Sequence, residues 1–380
     1  MYQNIEARLK PHERGSSAGA IGWNRFVPLH ATTRAELGFW LDNIQRLNGQ
    51  PFLRAHINRV LDIDLNTDAG GRGWGAVLAI PPQGTVANAQ LLDAVSLRLL
   101  PNMTVHAAAS ALRTGIKLCG SFTEQNEGSN VRELLATKYA FHALCPALAH
   151  LRMDHLVDNS GVAQALGGLL PADPDRIFGG SRNRRIQELV IEIDDLCIQF
   201  DIDRRTFWVP RQLNTVADYM AKLGAGDCYS YMLRPQCYAL IERTFGQHSI
   251  DRFASRNNVQ VGSRRYYSKF YEPEAEGLDA FSCQWAFASD GSLENNWIHP
   301  PYALLGQVIR HLRQSNAQAT LIAPKWPSAY WWPLLAPYLK TSSYLELGSC
   351  DQVLTYPPDL PLPMQLLPRG QLLAIRFLRI

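Results

Sequence analysis

Four acidic residues stand in local settings that suit metal-dependent chemistry. Asp68 lies in Asn66-Thr67-Asp68-Ala69-Gly70, near the end of an alternating stretch. Glu133 lies in Asn130-Val131-Arg132-Glu133-Leu134-Leu135, in the first turn of a helical pattern. Asp158 closes Leu156-Val157-Asp158, and Asp218 opens a helical run that follows Trp208-Val209-Pro210. Acids at strand ends and helix starts can converge on one edge of a sheet, where like charges repel unless cations neutralise them. Hard divalent cations such as Mg²⁺ take oxygen ligands and bridge carboxylates to phosphate. Two such ions roughly 4 Å apart activate a water and stabilise the leaving oxygen of a phosphodiester. The plainer alternative is that each acid starts or ends an element, since the helix macrodipole favours acids in a first turn. That alternative explains Glu133 or Asp218 alone, and explains all four together poorly.

The surrounding patterns supply the elements that must carry these acids. Val60 to Leu65 alternates apolar and acidic residues and predicts a strand. Gly70-Gly71-Arg72-Gly73 turns the chain into a second apolar strand, Trp74 to Ile80. A helix is expected from Asn130 to about Leu144, a strand from Leu151 to Val157, and a small-residue helix from Gly161 to Leu169. A strong helix follows over Arg185–Phe200, then a strand at Phe207–Val209 and a last helix from Thr215. A β-hairpin followed by alternating helices and strands predicts an α/β domain with a mixed sheet. Upstream, Ala35, Leu37, Trp40, Leu41, Ile44 and Leu47 share one helical face that Asn48-Gly49 ends, the pattern of a docking helix. Downstream of about Cys228 the pattern is α/β again. Helices are expected near Gln236–Phe245 and Leu304–Gln314, with strands at Ser249–Phe253, Ala319–Ala323 and Gln371–Leu378.

The 380 residues suggest two or three domains. With 37 basic against 34 acidic side chains and a net charge of +3, nucleic-acid contact has to come from local patches. The seven cysteines show no C-x-x-C pair, so reduced thiols are expected in place of a disulfide framework or zinc site. The N-terminal residues lack the basic-then-apolar order of a signal peptide. The longest apolar stretch, Trp326 to Leu339, carries three prolines and is too short to span a bilayer. These features predict an intracellular protein, cytoplasmic or nuclear, that is neither secreted nor membrane-bound.

Thr67-Asp68-Ala69 with Gly73 to Leu78 resembles the opening of a ribonuclease H domain. So do Arg132-Glu133-Leu134-Leu135-Ala136, Val157-Asp158-Asn159, and Val209-Pro210 with Asn214 and Ala217-Asp218. More narrowly, the chain resembles the region after the polymerase in reverse transcriptases of DIRS- and Ngaro-type tyrosine-recombinase retroelements. Trp40-Leu41, Asn43 and Leu47-Asn48-Gly49 resemble the connection segment just upstream. The resemblance covers most of 20–225. It implies a connection-like segment at 1–55, a ribonuclease H-like mixed sheet over 56–225, and Asp68, Glu133, Asp158 and Asp218 holding two Mg²⁺. It also implies an RNA–DNA hybrid as partner and a polymerase upstream or on a separate chain. Asn214 belongs to the nucleic-acid contacts. Arg182, Arg184 and Arg185 open the long helix and could hold phosphates at its N-terminus. Asn159 could donate to a 2′-hydroxyl, the group that distinguishes RNA. Two departures stand out. Pro81–Asn126 is longer than expected, so a rearrangement or an insertion is predicted there. Trp208 stands where retroviral relatives often carry a histidine, so no histidine proton shuttle is assigned. No Tyr-x-Asp-Asp polymerase signature occurs.

The C-terminal block, 226–380, resembles a phage-type Dam N6-adenine methyltransferase domain. Asp251 in Ile250-Asp251-Arg252-Phe253 and the turn His299-Pro300-Pro301-Tyr302 carry the resemblance. In such turns an Asp or Asn accepts from the target amine and the aromatic ring stacks on an extruded base. His299 lacks the amide carbonyl at that position and no glycine-rich methyl-donor loop is evident, so a degenerate domain is expected. S-adenosylmethionine is the cofactor only if it is active. Arg264-Arg265-Tyr266-Tyr267 fits either a single-strand platform or an amphipathic strand. Three readings emerge: an RNase H-type endonuclease, a decayed nucleic-acid-binding remnant, and an adenine-N6 methyltransferase.

Overall fold

A computed structural model describes residues 31–47, 61–81, 86, 89–122, 127–168, 179–224, 231–357 and 367–378. The first sheet contains β1 (Asp64–Ala69), β2 (Gly73–Ala79), β3 (Ile116–Ser121), β4 (Arg152–Val157) and β5 (Asp203–Trp208), in the order β3-β2-β1-β4-β5. β1, β2 and β3 run antiparallel, while β1, β4 and β5 run parallel. This is the expected mixed sheet. Because β1 and β4 are parallel neighbours, their C-terminal ends emerge side by side, and residues following either strand share one edge.

The helices of this unit are α1 (Ala31–Leu47), α2 (Ala89–Leu99), α3 (Val105–Thr114), α4 (Ser129–Leu144), α5 (Ser160–Ala165), α6 (Arg184–Gln199) and α7 (Thr215–Gly224). α4 is buried on most sides, through Val131, Leu134, Leu135, Ala136, Ala140, Phe141 and Leu144. It lies between the sheet and α6, whose buried Leu189, Val190, Ile193, Leu196 and Cys197 form one helical stripe. The long Pro81–Asn126 segment contains two helices and a strand among its described residues. Helices α2 and α3 precede β3, which still takes its place beside β2. α1 forms as the periodicity predicts, with Trp40 and Leu41 exposed. Asn48-Gly49 and the rest of the connection-like segment lie outside the described residues.

Helix α7 crosses the opposite face of β1, β2 and β3 closely enough to require glycine. A Cβ on Gly75 would lie 2.3 Å from the Ala221 nitrogen, and one on Gly224 2.4 Å from the Gly120 carbonyl oxygen. Gly75 pairs directly across the ladder from Asp68. The close approach therefore brings the helix carrying Asp218 over the strand carrying Asp68. Gly75→Ala should lift α7 from β2 and destabilise the protein by ~1–3 kcal/mol, the usual cost of overpacking. Urea unfolding checks this, with an unchanged midpoint as the contrary result.

The second sheet has its own core. β7 (Ile250–Asp251), β10 (Asn295–Ile298) and β11 (Gln318–Pro324) are parallel. β14 (Gln371–Phe377) and β12 (Tyr344–Ser349) add antiparallel, giving β12-β14-β11-β10-β7. Two short pairs, β6 (Met232–Leu233) with β13 (Leu354–Thr355) and β8 (Tyr267–Ser268) with β9 (Gly277–Leu278), complete the strands. α8 (Pro235–Phe245) and α9 (Leu305–Ser315) flank the sheet as expected. The two units meet at the free edge of β3, where Tyr271 N donates to Lys117 O at 2.8 Å and Asn102 Nδ2 donates to Glu276 O. Tyr271 and Leu278 pack against the core of the first unit. Among the described residues no helix is long and apolar enough to cross a membrane.

Candidate metal centre

Asp68 sits one residue from the end of β1, Asp158 directly follows β4, and Glu133 projects from α4. One carboxylate oxygen from each of the three falls within 4.8 Å of the others. Oxygens sharing one Mg²⁺ at ~2.1 Å are ~3–4 Å apart, so small side-chain rotations suffice to place all three on an ion. Asp68 and Glu133 are buried, at 5% and 7% exposure, and Glu133 Oε2 is enclosed without a hydrogen-bond partner. Glu133 is the fifth residue of α4 and not in its first turn, so the macrodipole does not account for it.

The electrostatics follow from this crowding. Burial, then the charges of Asp158 and Asp218, push the Asp68 carboxyl up to about 6. Burial, then Asp68 and Asp158, push Glu133 up to about 9, so it holds a proton at neutral pH. Burial also raises Asp158, against the opposing pull of Arg211. An orphaned buried oxygen among mutually repelling acids is what a hard divalent cation relieves. Asp68, Glu133 and Asp158 therefore fit Mg²⁺.

Asp218 opens α7 beside this cluster, but its oxygens lie outside the 4.8 Å group. Arg211 Nη2 donates to one of them at 3.0 Å and Lys222 Nζ to the other at 2.5 Å. The Lys222 hydrogen bond, then that from Arg211, holds its carboxyl below the usual range despite some desolvation.

A buried network beneath the acids went unpredicted. Thr67 Oγ1 lies 3.0 Å from His155 Nε2 and 3.2 Å from Thr137 Oγ1, and Thr137 Oγ1 donates to the Glu133 carbonyl at 3.0 Å. Burial pushes the His155 imidazole down to about 3, so it is neutral. Thr67 adjoins Asp68, Thr137 lies one turn past Glu133, and His155 precedes Asp158 by three residues. The network thus pins β1, α4 and β4 in the register that gathers the acids. Trp208 donates its indole N–H to the Asp158 carbonyl at 2.9 Å and fixes that loop.

The predicted nucleic-acid contacts divide. Asn214 is 1% exposed; its Nδ2 donates to Thr67 O at 2.9 Å and its Oδ1 accepts from Asn66 Nδ2 at 3.2 Å. This corrects its assignment: Asn214 ties the entry of α7 to β1 and presents nothing to a ligand. Asn159 caps α5, accepting from Gly161 N and Val162 N, and donates to Asn130 Oδ1 at 2.9 Å. Arg182 and Arg184 are exposed at the start of α6, where Asn183 caps the helix. Arg184 pairs with Glu188 at 2.7 Å, and Arg185 lies 3.8 Å from Glu127.

In the second unit, Asp251 at the end of β7 and His299 after β10 come to the same sheet edge. Asp251 is 2% exposed, and its oxygens accept from the backbone of Phe253 and Gln260. The His299 ring packs tilted against Tyr231, 5.5 Å between centroids, and burial pushes its imidazole down to about 3. Pro300 and Pro301 lead into Tyr302, whose ring is buried between Tyr231 and Trp326 at 5.7 and 5.4 Å. A ring that stacks on an extruded base must be open on one face. Tyr302 is not, which corrects the base-platform expectation to a core role. Tyr266 and Tyr267 are likewise buried, while Arg264 is exposed and Arg265 pairs with Glu276 and Glu294, so of the two readings of this stretch the amphipathic strand fits.

No family model matches the sequence, and no curated protein does either. Among solved structures, the chain is similar to the N-terminal RNase H domain of a Mycobacterium tuberculosis protein. The identity is 17% over 43% of this chain and 93% of that one, with a TM-score of 0.28. RNase H1 from the halophilic archaeon Halobacterium salinarum gives 16% identity, 43% and 96% coverage, and a TM-score of 0.27. A foamy viral protease-reverse transcriptase in complex with dsDNA gives 15%, 44% and 95%, and 0.26. Each likeness covers less than half of this chain, so the functional reading rests on the site itself.

Proposed function

We infer that the chain is a metal-dependent endonuclease of the ribonuclease H type, acting on the RNA strand of RNA–DNA hybrids. The observation that carries this reading is the gathering of Asp68, Glu133 and Asp158 within 4.8 Å around a buried, unpartnered Glu133 oxygen. Asp68 and Asp158, on the ends of two parallel strands, form the fixed side of the ion site. Glu133, pushed up by burial and by the charges of Asp68 and Asp158, would face the ion from α4. Asp218 stands at the rim, its oxygens engaged by Arg211 and Lys222. Bound magnesium would supply an activated water and charge for the leaving oxygen. Exposed Arg182 and Arg184, with Arg185 behind them, offer cations to a duplex backbone.

The full chain incubated with an end-labelled hybrid should shorten the RNA strand internally in Mg²⁺, leave the DNA strand intact, and do neither in EDTA. An uncut hybrid across Mg²⁺ and Mn²⁺ would leave the decayed nucleic-acid binder as the better reading. Buried Tyr302 and neutral His299 speak against methyl transfer, and calorimetric titration with S-adenosylmethionine should give no heat of binding.

A further inference from the structure

Asp218 differs from the three acids beside it in being already neutralised. Both of its oxygens face cations of the chain itself, Arg211 on one side and Lys222 on the other. Asp68, Glu133 and Asp158 form no salt bridge among the described residues, and Glu133 Oε2 has no hydrogen-bond partner. The cluster is therefore split into a three-carboxylate site ready for an ion and a fourth acid held elsewhere.

The cations that hold Asp218 are placed to let go. Arg211 stands on the single turn Arg211–Leu213 with its side chain 74% exposed, and Lys222 is 67% exposed one turn along α7. Exposed ion pairs of this kind are worth only ~0–1 kcal/mol. The charge of Arg211 also reaches Asp68 and Asp158, so it serves as counter-ion to the whole rim. A guanidinium in that position is built to exchange a carboxylate for a phosphate, which it can grip with two parallel hydrogen bonds.

We propose that Arg211 and Lys222 form a latch holding Asp218 out of the ion site. The chain alone then binds one divalent cation, on Asp68, Glu133 and Asp158, and a second ion waits on release of Asp218. This rests on the nuclease reading, and counting bound ions separates the two. Mn²⁺ titrated into the full chain and followed by electron paramagnetic resonance should show one tight ion per wild-type chain. The double variant R211A/K222A should take a second, and adding D218N to that pair should return the count to one. Both latch residues are exposed, so the variants should keep the wild-type circular dichroism spectrum. One ion in wild type and double variant alike overturns the latch alone, as does a wild type that already takes two. A second ion that persists in the triple variant overturns it as well. A wild type that binds no Mn²⁺ overturns the nuclease reading beneath it.

Discussion

Replacing Asp68 by asparagine should abolish hybrid cleavage while the melting temperature holds or rises. Asp68 is 5% exposed, faces two other acids across less than 4.8 Å, and feels Asp218 as well. Its charge costs the folded chain stability and serves only to hold a cation. The amide keeps the shape and removes both the repulsion and the ligand. Loss of one such electrostatic partner lowers turnover by at least ~10²–10³-fold, and Asp158→Asn should behave alike. Glu133→Gln should cut less deeply if Glu133 mainly positions one ion. Hybrid cleavage and thermal melting of each variant in EDTA check both halves. Retained cutting would remove that residue from the site, and a large fall in melting temperature would mean the carboxylate supports the fold.

The second large effect concerns pH. A carboxyl whose folded pKa lies above its unfolded value stabilises the fold while protonated, and that stability drains away as pH rises through the folded value. Asp68 does this between about 4 and 6, and Glu133 between about 4.5 and 9. From about pH 7 to 8 only Glu133 of the two is still shifting the balance, with a slope bounded by ~1.4 kcal/mol per pH unit. This window lies above the titration of His155 and His299. Their lowered folded pKa values make stability rise with pH only until the unfolded imidazole, near ~6.5, has lost its proton. Without metal, the melting temperature should therefore fall across the window. Mg²⁺ should raise it, more at the alkaline end, where displacing the Glu133 proton is easier. Glu133→Gln should reduce the metal-free slope, leaving the smaller part due to buried Asp251, whose carboxyl is pushed up to about 7. A wild-type curve already flat in EDTA would show that Glu133 is ionised in the folded chain.

Much of this site was legible because its acids lie at the boundaries of strongly patterned elements. The hairpin before Asp68 and the strand before Asp158 announce themselves by alternation, and once both strands join a mixed sheet their ends must be neighbours. What could not be read was which polar side chains turn inward. Asn214 has the right type for a nucleic-acid contact, yet the glycine-permitted approach of α7 buries it against β1. Thr67, Thr137 and His155 are unremarkable singly and matter only through a three-element junction. Tyr302 lies in a turn that looks functional, but Tyr231, some seventy residues upstream, closes over its ring. Arg211 and Lys222 carried no signal, because their partnership with Asp218 depends on a single turn meeting a helix. The excess length over Pro81–Asn126 was visible, while the two helices within it and the pairing of β3 with β2 were not. The strand Tyr344–Ser349 was missed outright.

The covering of β3 by the Tyr271 segment bears on how the molecule can be dissected. A bare sheet margin offers unpaired amides and carbonyls to any passing chain, a standing invitation to aggregate. Here one carbonyl of that margin, Lys117 O, is satisfied by a stretch belonging to the other half of the polypeptide, and Tyr271 and Leu278 pack against the first core beside it. Trimming away the C-terminal half to isolate the acid-bearing half would uncover both at once. Insolubility of such a fragment would then report on the severed seam, and say nothing against the chemistry.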